Sequence, residues 1–496
     1  MSTSQLSDES QPSTRPGLRR GLSVWAAVGI SVALMAPSMA ANINPQGTAG
    51  LVGRATPLAF FLAAVAVLLI AYVFVRLCQY YKHAGSVYVF AGATLGPQVG
   101  ATAGLSLLAT YTFYGLVTAS ATGVFGAQFL DQIGAWNAPP DWAGFLIGGL
   151  ALLLVLVLAI APTHRATSTL LTIEGATVLL IVAIAVIAFV KMAAGSAPDD
   201  ASLTWDVFKV EPGTGTSTLF LGIIFGLLSF AGFEAAATLG EEARNPAKDI
   251  PRAILGTAIF GGIYFTFVTA VEMMAFGTDK AGVEAFTTSS ALMGDVGTAF
   301  IASWIGETIT LGAAISAFGC CLACVVGGSR LLFAVSRDGF PHLPTGQTGR
   351  NGTPAAAATA VSVAIAVIAL ICAVLFGAVP FDTFLWSGTI GTLILLVAYV
   401  LATIGCIKLL FIDKAMKVPA WEIVIPLAGL VMLGYTIYRN VIPYPTSGPA
   451  MWFPIVAFGW VIVVAIVMLL SPVLAQRLSR ALVQVDKVDK PEGHYL

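Results

Sequence analysis

The chain of 496 residues is 57% hydrophobic and only 10% charged, with mean hydropathy +0.89 and a formal net charge of −1. Soluble domains carry about 25% charged residues, so this composition excludes a soluble globular protein and indicates an all-α membrane protein in contact with membrane lipid. The near-neutral charge gives no footing for a nucleic-acid partner, and nothing in the composition specifies an oligomeric state.

Residues 1–20 are polar, rich in Ser, Gln and Pro, and read as a disordered cytoplasmic N-terminus with no cleavable signal peptide. Twelve apolar runs follow, each of at least about the 20 residues that a bilayer requires, the third and eighth long enough to tilt or project beyond it. They cover roughly 22–43, 56–77, 99–129, 142–161, 166–192, 216–240, 252–276, 298–334, 355–377, 383–410, 422–441 and 452–474. With the N-terminus inside, all but five of the 24 Lys and Arg fall on the inner side, leaving Arg54, Lys191, Lys209, Lys280 and Arg439 outside. One helix more or fewer would scramble that asymmetry, so the expectation is twelve spans in the cell membrane with both termini cytoplasmic.

Two spans are interrupted. The first reads GISVALMAPSMAANINPQG, with Pro37 mid-span, and the sixth reads FGLLSFAGFEAAATL, with Gly232 mid-span. Pro removes a helix hydrogen bond and Gly weakens helix locally; backbone opened at membrane depth must be buried in protein or line a cavity. The breaks lie five spans apart, as expected for a 5+5 inverted repeat in which each half opens with a broken helix. The division is then 21–192 for the first repeat, 193–215 for an extracellular loop and 216–411 for the second repeat. Two further helices occupy 412–475, and 476–496 forms a cytoplasmic tail.

The six cysteines lie in or beside apolar runs, and Cys321-x-x-Cys324 lacks a strand–helix context, so they read as small packing residues. His83, His164, His342 and His494 sit outside the helix centres, so neither a metal site nor a cofactor is implied. There is no phosphate-binding loop for primary transport, no filter repeat for a channel, and no convincing nucleophile–base set for an enzyme.

The sixth span and its exit, GLLSFAGFEAAATLGEEARNPAKDIPRAI, combine G-F-E, then E-E-x-x-N-P, then I-P-R-A. The exit of the eighth, GGSRLLFAVSRDGFPHLP, carries S-R, then A-x-S-R-D-G and a proline. These blocks resemble the signatures of the amino acid–polyamine–organocation (APC) superfamily of permeases, over a layout that covers nearly the whole chain. The resemblance implies a LeuT-type fold and alternating access. It also implies an amino acid or amine cargo coupled to H+ or Na+, with polyamine- or ethanolamine-type exchange as the alternative. Many members carry a G-S-G-I run in the first break; this chain has ALMAPSMA instead.

A cargo carboxylate at membrane depth needs donors, which a half-helix N-terminus supplies; an ammonium needs unwound carbonyls. The first break therefore nominates Ala33, Leu34, Met35, Ala36 and Ser38, and the second nominates Phe230, Ala231, Gly232, Phe233 and Glu234. In the family the aromatic after the glycine lines the site, which favours Phe233 over Phe230; ordinary core packing is the alternative for both. Glu234 is either a site acid or a brace for the broken helix, since a charge at this depth costs about 3 kcal/mol and must be paired or protonated. Tyr111, Tyr114 and Trp386 are further wall candidates.

In several relatives the fifth span carries a lysine nine residues after a basic residue, its ammonium standing in for sodium. Nine residues after Arg165 stands Glu174, opposite in sign and able to bind Na+ or carry H+, a structural hydrogen bond being the alternative. Ser316, fourteen residues before Arg330, matches a serine that borders the cation site in relatives; a hydroxyl bonded to the carbonyl four residues earlier in its own helix is the alternative. Glu241, Glu242, Arg244, Arg330 and Arg337 form inner-face clusters that read as an ionic gate or as a solvated loop.

Overall fold

The structure, a computed structural model, describes residues 23–81, 87–161, 164–198, 201–211, 215–239, 243–340, 342–349 and 352–482. The tail expected over residues 1–20 and the gate candidates Glu241 and Glu242 lie outside the described residues, as do residues 483–496.

Every regular element described is helical. The first span is two helices, α1 (Val24–Met35) and α2 (Pro37–Val52). Between them Ala36 is left-handed, at φ 46° and ψ 57°. The ring of Pro37 crowds the preceding residue out of the right-handed helical region, while its fixed φ suits the first position of the next helix. α3 (Thr56–Tyr80) follows. A short helix not foreseen from hydropathy, α4 (Val87–Leu95), leads into α5 (Pro97–Gln132), then α6 (Trp142–Ile160) and α7 (His164–Ala193).

The sixth span begins as α8 (Leu219–Ser229), passes through turns over 230–234 and resumes only as a 3₁₀ segment, Ala235–Leu239. Gly232 at φ 104° makes that path possible, because a side chain there would be strained. α9 (Pro246–Phe276) is followed by two short helices, α10 (Lys280–Thr288) and α11 (Leu292–Phe300). The eighth run, expected from 298, begins as helix at α12 (Ser303–Gly339). Next come α13 (Ala355–Phe376), α14 (Pro380–Ile407), α15 (Val424–Arg439) and α16 (Trp452–Leu470). The segment expected as a tail from 476 starts as helix: α17 (Pro472–Leu482) buries Ala475 and Leu478 and packs on α5 and α12.

Among the described residues, ten tracts are long and apolar enough to cross a membrane, Ala27–Tyr80 being one continuous tract, and Thr216–Ser229 is a shorter apolar helix. The main packing contacts run α5 to α12, α14 and α6, and α3 to α9 and α8, with α2 on α8. Phe60, Phe74, Phe90, Phe230, Phe233 and Phe265 fill the core at the centre of the second set.

One ion pair pins the periphery to this core. Arg76 on α3 pairs with Glu422, just ahead of α15, and the Tyr72 hydroxyl donates to the same carboxylate. Arg76→Ala is expected to lower stability by about 1–3 kcal/mol, less than a fully buried pair because the Arg76 side chain is 23% exposed. A thiol-reactive fluorogenic dye should read this directly, since all six cysteines are free and five are buried.

Candidate functional site

The two breaks face each other: a Cβ added at Gly232 would lie 2.9 Å from the Leu34 Cβ. Side chains join the broken halves. Ser31 Oγ accepts the Ala236 N–H at 3.0 Å, and Asn44 Nδ2 donates to Ser229 Oγ at 2.7 Å.

A helix start exposes four unpaired N–H positions. In α2 the first is Pro37, which has no N–H. The Ser38 N–H donates to Glu174 Oε1 at 2.9 Å, the Met39 N–H to Ser316 Oγ at 3.2 Å, and the Ala40 N–H to Ala36 O at 2.8 Å. Glu174 is 6% exposed and Ser316 is buried. The two residues nominated for ion coupling, from α7 and α12, thus meet on one turn of α2. Carbonyls on both sides of the break are also bonded: Leu34 O accepts from the Cys320 thiol at 3.3 Å and Pro37 O from the Tyr264 hydroxyl at 3.3 Å.

Beside this cap lies a cavity of about 440 Å³, lined by Ala33, Leu34, Tyr111, Glu174, Gly232, Glu234 and Ser316, among others. It runs to the exposed residues Thr238 and Arg330. A narrow recess of about 60 Å³ continues past Leu34, Tyr111, Gly232 and Glu234 to Met35, Tyr114, Ala231, Cys320 and Cys324. Glu234 Oε1 accepts the Tyr399 hydroxyl at 2.8 Å, whereas Oε2 has no side-chain hydrogen-bond partner among the described residues. Tyr114 is tied to Thr392 at 3.1 Å.

Further along, α2 is tied to α11 and to the end of α10. Asn42 Oδ1 accepts the N–H groups of Met293 and Gly294 at 3.0 and 3.2 Å, and Gln46 Nε2 donates to Ser289 O. Thr48 Oγ1 donates to Gly222 O at 3.0 Å.

Most nominated residues converge on the cavity and its recess; Ala36 and Ser38 lie in the first break without lining either, and three aromatics lie elsewhere. Phe233, 1% exposed, packs edge-on against Phe74 and Tyr399, and Phe230 packs against Phe265; neither lines the cavity. The turn through Gly232 sends both rings into the core behind the break. Trp386 packs edge-on against Phe376 and tilted against Phe453, and lines a separate apolar cavity of about 760 Å³ between α5, α13, α14 and α16. Of the charges nominated for a gate, Arg330 lines the cavity's exposed end, Arg244 is exposed, and Arg337 lies over the Phe333 ring.

A third carboxyl escaped the sequence reading. Glu272, inside VTAVEMMAF of α9, is fully buried and neither oxygen has a hydrogen-bond partner. Its signal was plain: an acid within an apolar run. Glu272→Met is expected to raise thermal stability by about 1–3 kcal/mol, the usual penalty of a buried polar group without partners. Dye-monitored melting against wild type checks it.

Residues 38–485 match the family model for amino acid permeases. The branched-chain amino acid permease BcaP of Bacillus subtilis (strain 168) is 26% identical over 436 residues, spanning 83% of this chain and 84% of its own. The low-affinity putrescine importer PlaP of Escherichia coli (strain K12) is 26% identical over 353 residues, 68% and 71% of the two chains. In fold, the chain resembles a crystal structure of the Eremococcus coleocola manganese transporter, solved with an aromatic bis-isothiourea substituted compound. That match has a TM-score of 0.52 at 12% identity, covering 93% of this chain and 98% of that one. The chain therefore belongs to the amino acid permease family, within the APC superfamily: it is a multi-pass membrane transporter and not an enzyme.

Proposed function

We propose that the chain is a secondary active transporter that moves an amino acid or a related amine across the cytoplasmic membrane by alternating access, coupled to H+ or Na+. The observation that carries this reading is the cavity between the two helix breaks, with carboxyl groups from α7 and from the second break on its walls. The relatives named for branched-chain amino acids and for putrescine fit both arms of the cargo class.

The architecture is read as twelve spans in two inverted five-span repeats plus two. Supporting this, each of the first four spans packs on the span five later: α1 and α2 on Ala235–Leu239 and α8, α3 on α9, α5 on α12, and α6 on α13. A two-fold axis between the halves would generate that pairing. Both termini are assigned to the cytoplasm by the Lys and Arg distribution. The cavity then opens inward at Arg330, while the Asn42 and Gln46 contacts hold the outer side shut.

In this reading Glu174 and Ser316 form the coupling site. Binding or release of a cation at Glu174 changes the charge at the first turn of α2, and so biases how that half-helix sits. Glu234 is the cargo-facing acid. Uptake into proteoliposomes, with a panel of labelled amino acids and amines and with or without a pH or Na+ gradient, tests it. Glu234→Gln is expected to cut uptake at least about tenfold, the loss of one charge-assisted contact. Glu174→Gln is expected to keep residual uptake but lose its gradient dependence. Normal uptake by the first variant would make Glu234 a brace, and full gradient dependence in the second would remove Glu174 from the coupling site.

A further inference from the structure

A half-helix N-terminus and a break between helices supply donors for a cargo carboxylate only if their N–H groups are free. An N–H carries a single hydrogen, whereas a carbonyl oxygen has two lone pairs. At the first turn of α2 the donors are spent. Ser38, Met39 and Ala40 donate to Glu174, Ser316 and Ala36 O. At the second break, the N–H groups of Phe230, Ala231, Phe233 and Ala235 donate within the turn and that of Ala236 to Ser31, while those of Gly232 and Glu234 face the Glu234 carboxyl.

The walls repeat the imbalance. The recess hydroxyls of Thr110 and Thr118 donate to their own helix, and Tyr114 is engaged with Thr392. The charged residues of the cavity are two carboxyls, Glu174 and Glu234, with Arg330 at the exposed end. Acceptors are left over, notably Glu234 Oε2. A zwitterionic amino acid would bring its carboxylate to a place where a protein carboxylate already holds the helix N-terminus. A cationic amine would bring only donors.

We propose that Glu174 acts as a built-in substitute for the cargo carboxylate, so that this transporter selects cationic amines lacking an α-carboxylate, held by Glu234. This rests on the transporter reading above and narrows its cargo. Glu174 is thereby a specificity-determining residue: its carboxylate fills the donor site that an amino acid would need.

The test compares pairs that differ only by the carboxylate: ornithine against 1,4-diaminobutane, and leucine against 3-methylbutylamine. All are offered as labelled probes to the full-length chain in proteoliposomes. The amine of at least one pair is expected to be taken up about tenfold or more faster than its amino acid, the penalty of one unsatisfied polar group. Glu174→Ala vacates the Ser38 N–H, so amino acid uptake should rise relative to amine, shrinking that ratio about tenfold. Glu174→Gln keeps an amide oxygen for Ser38, so the ratio should persist even as both rates fall. A gain of amino acid uptake is a result that misfolding does not imitate. Wild-type uptake of the amino acids as fast as the amines would overturn the inference and leave the transporter reading intact. An unchanged ratio in Glu174→Ala would do the same, and absence of uptake for all four probes would overturn both.

Discussion

Gly232→Ala is expected to destabilise the protein by about 2–5 kcal/mol and to bring uptake close to background. Two effects add. A φ of 104° is open to glycine and strained for alanine, a cost of about 1–3 kcal/mol. The new Cβ would also lie 2.9 Å from Leu34 Cβ and 3.0 Å from its Cγ, overpacking worth about 1–3 kcal/mol. The strain cannot be relieved locally, because Ala236 is tied to Ser31 on one side and Asn44 to Ser229 on the other. Dye-monitored melting and uptake on the same preparation check it. A variant with wild-type melting and uptake would mean that the second break does not depend on this backbone geometry.

Asn42→Ala is expected to cost about 2–5 kcal/mol. Asn42 is fully buried and makes three hydrogen bonds: Oδ1 takes the Met293 and Gly294 N–H groups, and Nδ2 donates to Ser38 O at 2.8 Å. Alanine leaves two helix-start N–H groups of α11 without acceptors, each worth about 1–3 kcal/mol. Asn42→Asp keeps both acceptor functions and should lose less. Hydrogen exchange over residues 280–300 should speed up in the alanine variant and much less in the aspartate one. Equal exchange in both would mean that Asn42 does not hold α11. Under the alternating access proposed above, loosening Asn42, which joins the capped turn of α2 to α11, is expected to favour opening on the side away from Arg330.

Much of the site was legible before any coordinates. Pro37 and Gly232 marked both breaks, because each acts through local backbone chemistry that needs no partner to be predicted. Glu174 and Ser316 were found by counting from signature residues, and the structure brings both to the first turn of α2. Their task there was not foreseen. That the α2 N-terminus is already capped depends on three helices far apart in the chain, and no local pattern encodes it.

The misplaced aromatics show where such reasoning stops. Phe233 follows a left-handed residue, so the helical register of α8 cannot be carried past Gly232 to say where its ring points. Trp386 sits on α14, whose residues are apolar on nearly every side, so no polar stripe separates an inward from an outward face. The short helices α4, α10 and α11 were missed because none is long enough to register as a span.

The sequence by itself determined that this chain crosses a membrane many times, where its helices break, and which family signature it carries. A bilayer imposes those features segment by segment, through apolar length and through backbone that must satisfy itself. Only the tertiary structure decided which faces line the cavity and which donors remain free. In a membrane protein, lipid and protein interior are both apolar, so hydropathy gives no contrast between them. The accounting of buried N–H groups supplies that contrast, and it singles out Glu174 as the group that already occupies the place an incoming carboxylate would take.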